Sequence, residues 1–62
     1  MDQMKTGRLI RTLRRRRGLT QLALAERLGV SPSAVSNYEN GLSFPKEDVM
    51  LRLFDCLETE PN

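Results

Sequence analysis

Asn37 carries a hydrogen-bond donor and an acceptor on one amide, and Ser33, four residues earlier, falls on the same face of any helix that contains both. Such a pair binds rather than reacts: the amide matches the N6 and N7 edge of adenine, while the hydroxyl donates or accepts and so discriminates less. Ser36 lies beside that face. The rest of the chain offers little reactive chemistry. With no histidine there is neither an ordinary catalytic triad nor a usual zinc-ligand set, and the single Cys56 has no partner for an internal disulfide. Glu47, Asp48, Asp55, Glu58 and Glu60 read as surface charge, and no glycine-rich loop is built to cradle a phosphate. The expectation is a binding module without catalysis, metal or cofactor.

The elements that position Ser33 and Asn37 follow from the caps and the apolar spacing. Leu9, Ile10 and Leu13 make an amphipathic stripe in a helix over residues 5–17, whose arginine-rich last turn suits the negative end of its dipole before Gly18 stops it. Thr20 is a candidate N-cap for a short helix over 21–28, with Leu24, Ala25 and Leu28 on one face and Gly29 as its stop. Ser31 followed by Pro32 opens a third helix over 32–40, which turns Val35 and Tyr38 inward and ends before Gly41. Leu42 or Phe44 then returns to the core. Glu47 and Asp48 lie in the acidic first turn of a helix over 46–57 with Val49, Met50, Leu53, Phe54 and Leu57 as its apolar positions. No alternating strand pattern, repeat or low-complexity tract interrupts this all-helical reading.

Sixty-two residues allow one domain, 1–62, near the lower size limit for folding without a staple. Hydrophobic residues at 39% and charged residues at 29% place it in the globular range. The net charge of +2 conceals an asymmetry. Residues 1–31 hold eight Lys or Arg against Asp2 and Glu26, a formal +6, whereas residues 32–62 hold two against six acids, a formal −4. One half attracts polyanions and the other repels them. The sequence shows neither a membrane span nor a signal peptide, so it predicts a cytoplasmic protein.

The second and third helices, joined by Gly29-Val30-Ser31, have the lengths and glycine placement of a helix-turn-helix, with the second of the pair as the reader. Leu19-Thr20-Gln21, Leu24-Ala25, Leu28-Gly29-Val30-Ser31, Val35-Ser36 and Tyr38-Glu39-Asn40-Gly41 together resemble the signature of the Cro/C1-type, or Xre, repressors of phages and bacteria. The resemblance runs from about Ile10 to Leu57 and implies a compact lambda-repressor-like bundle of four to five helices. It implies a nucleoid-associated, sequence-specific regulator of double-stranded DNA, a repressor, acting as a homodimer whose contact lies after the third helix and often uses a fifth. The chain stops at Pro61-Asn62, where a proline can open another helix, so the fifth is expected beyond Asn62.

Position by position, the resemblance makes Gln21 a phosphate anchor that also braces the reading helix, Thr20 a phosphate contact besides a cap, and Asn40 a backbone contact. It pairs Arg14 with Glu39 as a structural bridge that leaves the guanidinium near a phosphate. Ser33, Asn37 and Ser36 are the base contacts on this reading. Pro32 departs from relatives that carry a polar reader there, and its ring has only a thymine methyl to touch. Arg11 and Arg15 add phosphate contacts within a basic face that also includes Arg8, Arg16 and Arg17. Leu22 stands where relatives are often polar and is either an exposed apolar contact or locally packed. Met50 and Cys56 are apolar filler.

The rival is a module that keeps this fold but binds protein, such as an antitoxin or anti-repressor. A polar reading face and the +6 half favour duplex DNA over it. Tyr38, Phe44 and Phe54, the only aromatics, fall at core-like positions, which leaves no stacking platform for single strands.

Overall fold

The computed structural model describes residues 2–58, and these form four helices: α1 (Gln3–Arg16), α2 (Gln21–Leu28), α3 (Pro32–Glu39) and α4 (Glu47–Glu58). No strand occurs among the described residues. The segment in which a fifth helix is expected to open lies outside them.

Caps fix each start. Asp2 accepts the Met4 N–H at 2.8 Å, so α1 begins at Gln3, two residues before the expected Lys5, and its last helical residue is Arg16 rather than Arg17. The Thr20 hydroxyl accepts from Ala23 N at 3.0 Å, and Ser31 accepts from Ala34 N at 3.1 Å with Pro32 opening α3. Between α2 and α3 the chain reverses at Gly29, where φ is +73°, a conformation that a side chain would strain. Asn40 caps α3 instead of extending it, and α4 spans one residue later than expected at each end.

Two arginines close helix ends. Arg52 donates to the Leu28 carbonyl at 3.1 Å, and Arg17 donates to the Leu57 carbonyl at 2.9 Å, tying the carboxyl ends of α2 and α4 to neighbouring elements.

The core gathers Ile10, Leu24, Ala25, Leu28, Val35, Tyr38, Val49, Leu53 and Leu57, with Leu24, Leu28 and Val35 sealed at the α2–α3 junction. The inward face of α1 differs from the expected apolar stripe. It consists of Gly7, Ile10 and Arg14, while Leu13 is half-buried and Leu9 is 57% exposed. The reason lies in the crossing of α1 over the carboxyl end of α3: a Cβ on Gly7 would stand 2.6 Å from the Glu39 carbonyl oxygen and closer still to that of Tyr38. Turning the bare glycine toward α3 rotates Leu9 out of the core. Phe44 and Phe54 are also exposed, contrary to their core-like spacing, and so is Leu42, whereas Leu22 is exposed as one of its two readings required.

Gly7→Ala should therefore destabilise the fold by about 1–3 kcal/mol through overpacking against main chain that cannot yield. Thermal denaturation followed by circular dichroism checks this, and an unchanged midpoint would mean that the two helices separate freely.

Candidate nucleic-acid interface

At the carboxyl end of α3, Glu39 is only 3% exposed, an unfavourable place for a carboxylate because burial and the negative end of the helix dipole both oppose it. Three side chains answer that cost. Arg14 donates from Nε to Oε2 at 2.6 Å and from Nη2 to Oε1 at 3.2 Å, a two-bond grip on both carboxylate oxygens. Gln21 donates to Oε1 at 3.1 Å from the first turn of α2, and Arg11 donates to the same oxygen at 3.3 Å. Arg14 spends a further donor on the Leu19 carbonyl at 2.7 Å, which holds the loop before α2.

Burial alone would push the Glu39 pKa up. Hydrogen bonds from Arg14, Gln21 and Arg11, with the charge of Arg14, outweigh it and hold the group below the ordinary glutamate value. Two guanidinium charges against one carboxylate leave the cluster formally at +1. Its surplus lies toward Arg11, which is half-buried and donates to the Asn40 side-chain oxygen at 3.0 Å. Asn40 in turn donates to the Ser36 hydroxyl at 3.3 Å, so a continuous chain of bonds runs from α1 to the outer face of α3.

Ser33 and Asn37 stand together on that outer face, both exposed, and among the described residues no side chain hydrogen-bonds to either. Pro32 is exposed beside them, and Ser36 is half-buried with its hydroxyl engaged by Asn40. Thr20 is exposed while its hydroxyl caps α2. Arg15 is exposed at the end of α1. Arg14 has the least surface left of the side chains with expected phosphate contacts, at 9% exposure.

The tie of Arg11 to Glu39 and Asn40 is not part of the sequence reading, which gives Arg11 only as a phosphate contact within a basic face. Its signal is the spacing Gly7, Arg11, Arg14, which puts a gap and two guanidinium groups on one face of α1. Among the described residues no group of His, Cys, Asp or Glu side chains assembles to hold a metal, and no helix is long and apolar enough to cross a membrane. Phe44 and Phe54 lie between α1 and α4, away from the Ser33–Asn37 face.

The family model of the helix-turn-helix domain matches residues 6–62 of the chain, consistent with the Cro/C1-type pattern read from its motifs. No curated protein matches it.

A carboxyl whose pKa is lowered by folding contributes stability above its unfolded value and loses that contribution as pH falls through the folded one. Glu39→Gln, which leaves Arg14 without its countercharge, is expected to cost roughly 3 kcal/mol near neutral pH. The gap to the parent should begin to close below the ordinary glutamate range and continue closing to the lowered value of Glu39 itself. Urea denaturation across an acid pH series measures it; a constant gap would mean that the Glu39 charge does not brace the helices.

Proposed function

The chain belongs to the helix-turn-helix domain family, and we propose that it reads specific sequences of double-stranded DNA with α3, regulates transcription as a repressor, and does so as a homodimer. The observation that carries this reading is the outer face of α3, where Ser33 and Asn37 are exposed with hydrogen-bonding groups that no side chain of the described protein takes up. A polar helix face of that kind suits the major groove, whose base edges present donors and acceptors in fixed patterns. Asn37 reads adenine by a paired bond, Ser33 and Ser36 supply less selective contacts, and Pro32 meets a thymine methyl.

Phosphate contacts surround this face. Thr20 and Gln21 sit at the amino end of α2, where N–H groups and the helix dipole favour an anion, and Gln21 is also held by Glu39. Arg11, Arg15 and Asn40 add contacts from α1 and from the end of α3. Arg14 acts chiefly as the brace that fixes Glu39, with its remaining edge toward a phosphate. The +6 half of the chain supplies the field that brings these groups to DNA. The protein would work in the cytoplasm, at the nucleoid. A protein-binding module on the same fold would need a more apolar face than Ser33, Ser36 and Asn37 provide.

Selection from random duplexes, followed by fluorescence anisotropy, tests the reading. One motif should be enriched, and Asn37→Ala should remove about 1–3 kcal/mol of discrimination at a single adenine position while leaving other positions intact. If four to five phosphates are neutralised per domain, the logarithm of affinity should fall against that of salt with a slope of about −4. Failure to bind any duplex at low salt would transfer the assignment to the protein-interaction module.

A further inference from the structure

The hydroxyl of Ser36 stands at the end of a chain of hydrogen bonds whose direction is fixed from its far end. Arg11 donates from Nη2 to Oδ1 of Asn40 at 3.0 Å, and Asn40 donates from Nδ2 to Oγ of Ser36 at 3.3 Å. A guanidinium has no acceptor, so only the amide oxygen of Asn40 can face it, and the amide nitrogen is left to face Ser36. Turning the amide over would set donor against donor at Arg11. Arg11 is itself tethered, by the bond from its Nε to Glu39 at 3.3 Å. Every link therefore runs outward from α1, and Ser36 receives the last one on its oxygen.

What remains on Ser36 is an unmatched proton. Among the described residues its hydroxyl donates to no acceptor, the carbonyls of the preceding helical turn included. Accepting a bond from Asn40 also makes the O–H the stronger donor. Once a partner excludes water, a donor placed opposite Ser36 would leave this proton unsatisfied, whereas an acceptor would satisfy both ends of the hydroxyl. Ser36 follows Ser33 by three residues and Pro32 by four, so its half-buried side chain borders the outer face of α3.

In the major groove guanine, thymine and adenine each present at least one acceptor, whereas cytosine presents only its N4 amino donor. We propose that Ser36 reads its base as a hydrogen-bond donor and disfavours cytosine, and that Arg11, acting through Asn40, sets this polarity. The inference rests on the reading of duplex DNA by α3 and sharpens it, because a contact of low selectivity becomes selective against one base. Arg11 is in this respect a positioning residue, a role separate from any phosphate contact made by its charge.

Fluorescence anisotropy against the selected duplex, with each of the four bases placed at each position in turn, tests the proposal. At one position, distinct from the adenine read by Asn37, cytosine on the contacted strand should bind about five- to tenfold more weakly than the best base. Ser36→Ala should abolish that difference and leave the Asn37 position unchanged. Asn40→Asp keeps an oxygen for Arg11 but takes up the Ser36 proton, so only lone pairs face outward and the preference should move toward cytosine. Arg11→Met frees the amide to turn either way, and the difference should shrink to about twofold or less. Both variants lose affinity for all sequences alike, but the ratio between bases is a quantity that a bracing or phosphate-binding role would not move. Melting curves check folding, and Asn40 caps α3 through its backbone N–H, which every substitution there retains. If the added charge of Asn40→Asp prevents binding, Asn40→Ala replaces it and should likewise remove the difference. A Ser36→Ala variant that weakens all sequences equally would give its proton to a phosphate, and base ratios unmoved by the Asn40 and Arg11 variants would remove the relay; either result overturns the proposal. A chain that binds no duplex at low salt fails at the earlier reading, whereas one with an adenine preference that depends on Asn37 but no position that depends on Ser36 fails only here.

Discussion

A buried carboxylate at the end of a short helix must be matched by donors, and the arrangement of α1, α2 and α3 follows from how Glu39 is matched. Arg14 and Arg11 come from α1 and Gln21 from the first turn of α2, so the carboxylate is a common point for three helices. The close crossing at Gly7 belongs to the same constraint, because the main chain of Tyr38 and Glu39 occupies the space where a side chain on α1 would be. Buried ion pairs of this kind add little net stability, since desolvation offsets the attraction, but they are costly to break and restrict the geometries available. The apolar contacts of Leu24, Leu28 and Val35 drive α2 and α3 together; the Glu39 cluster ties α1 to both.

That geometry connects to binding through the direction of α3. Its amino end is fixed by Ser31 and Pro32 and its carboxyl end by Glu39 and Asn40, so Ser33 and Asn37 are carried on a helix held at both ends. On the proposed reading of DNA by α3, such support matters because hydrogen bonds to base edges tolerate little misplacement. The Arg11–Asn40–Ser36 chain extends the support to the outer face itself. The cluster keeps a formal positive surplus, so the groups that brace α3 also make its surroundings attractive to phosphate.

The parts of this structure that were legible in the sequence are those decided by neighbours along the chain. Thr20, Ser31-Pro32 and Gly29 act through their own backbone or residues two or three positions away, and they bounded α2 exactly where the helix is found and α3 to within one residue. The cap at Asp2 was equally local but preceded the first apolar position, so a reading led by hydrophobic spacing began α1 too late. Which face of α1 is inward was not legible, because it depends on α3 approaching Gly7 and not on the stripe of Leu9, Ile10 and Leu13. For the same reason Phe44 and Phe54 had core-like spacing and exposed rings. At the site, the Arg14–Glu39 contact followed from a resemblance and the structure brings the two together, but the part taken by Arg11 was hidden by its basic neighbours.

α1 thus divides its surface between two unlike contacts. Gly7 and Arg14 make one face that is polar, closed and committed to α3, whereas Leu9 and Leu13 line another that is apolar and left open toward α4. A domain of this length buries only a modest core, so apolar surface left outside it is a substantial share of what the chain has available. Covering the apolar face from outside would add burial without altering the Glu39 cluster, because the two contacts lie on different faces of the same helix. Any partner that binds there and only to the folded chain also stabilises it by mass action.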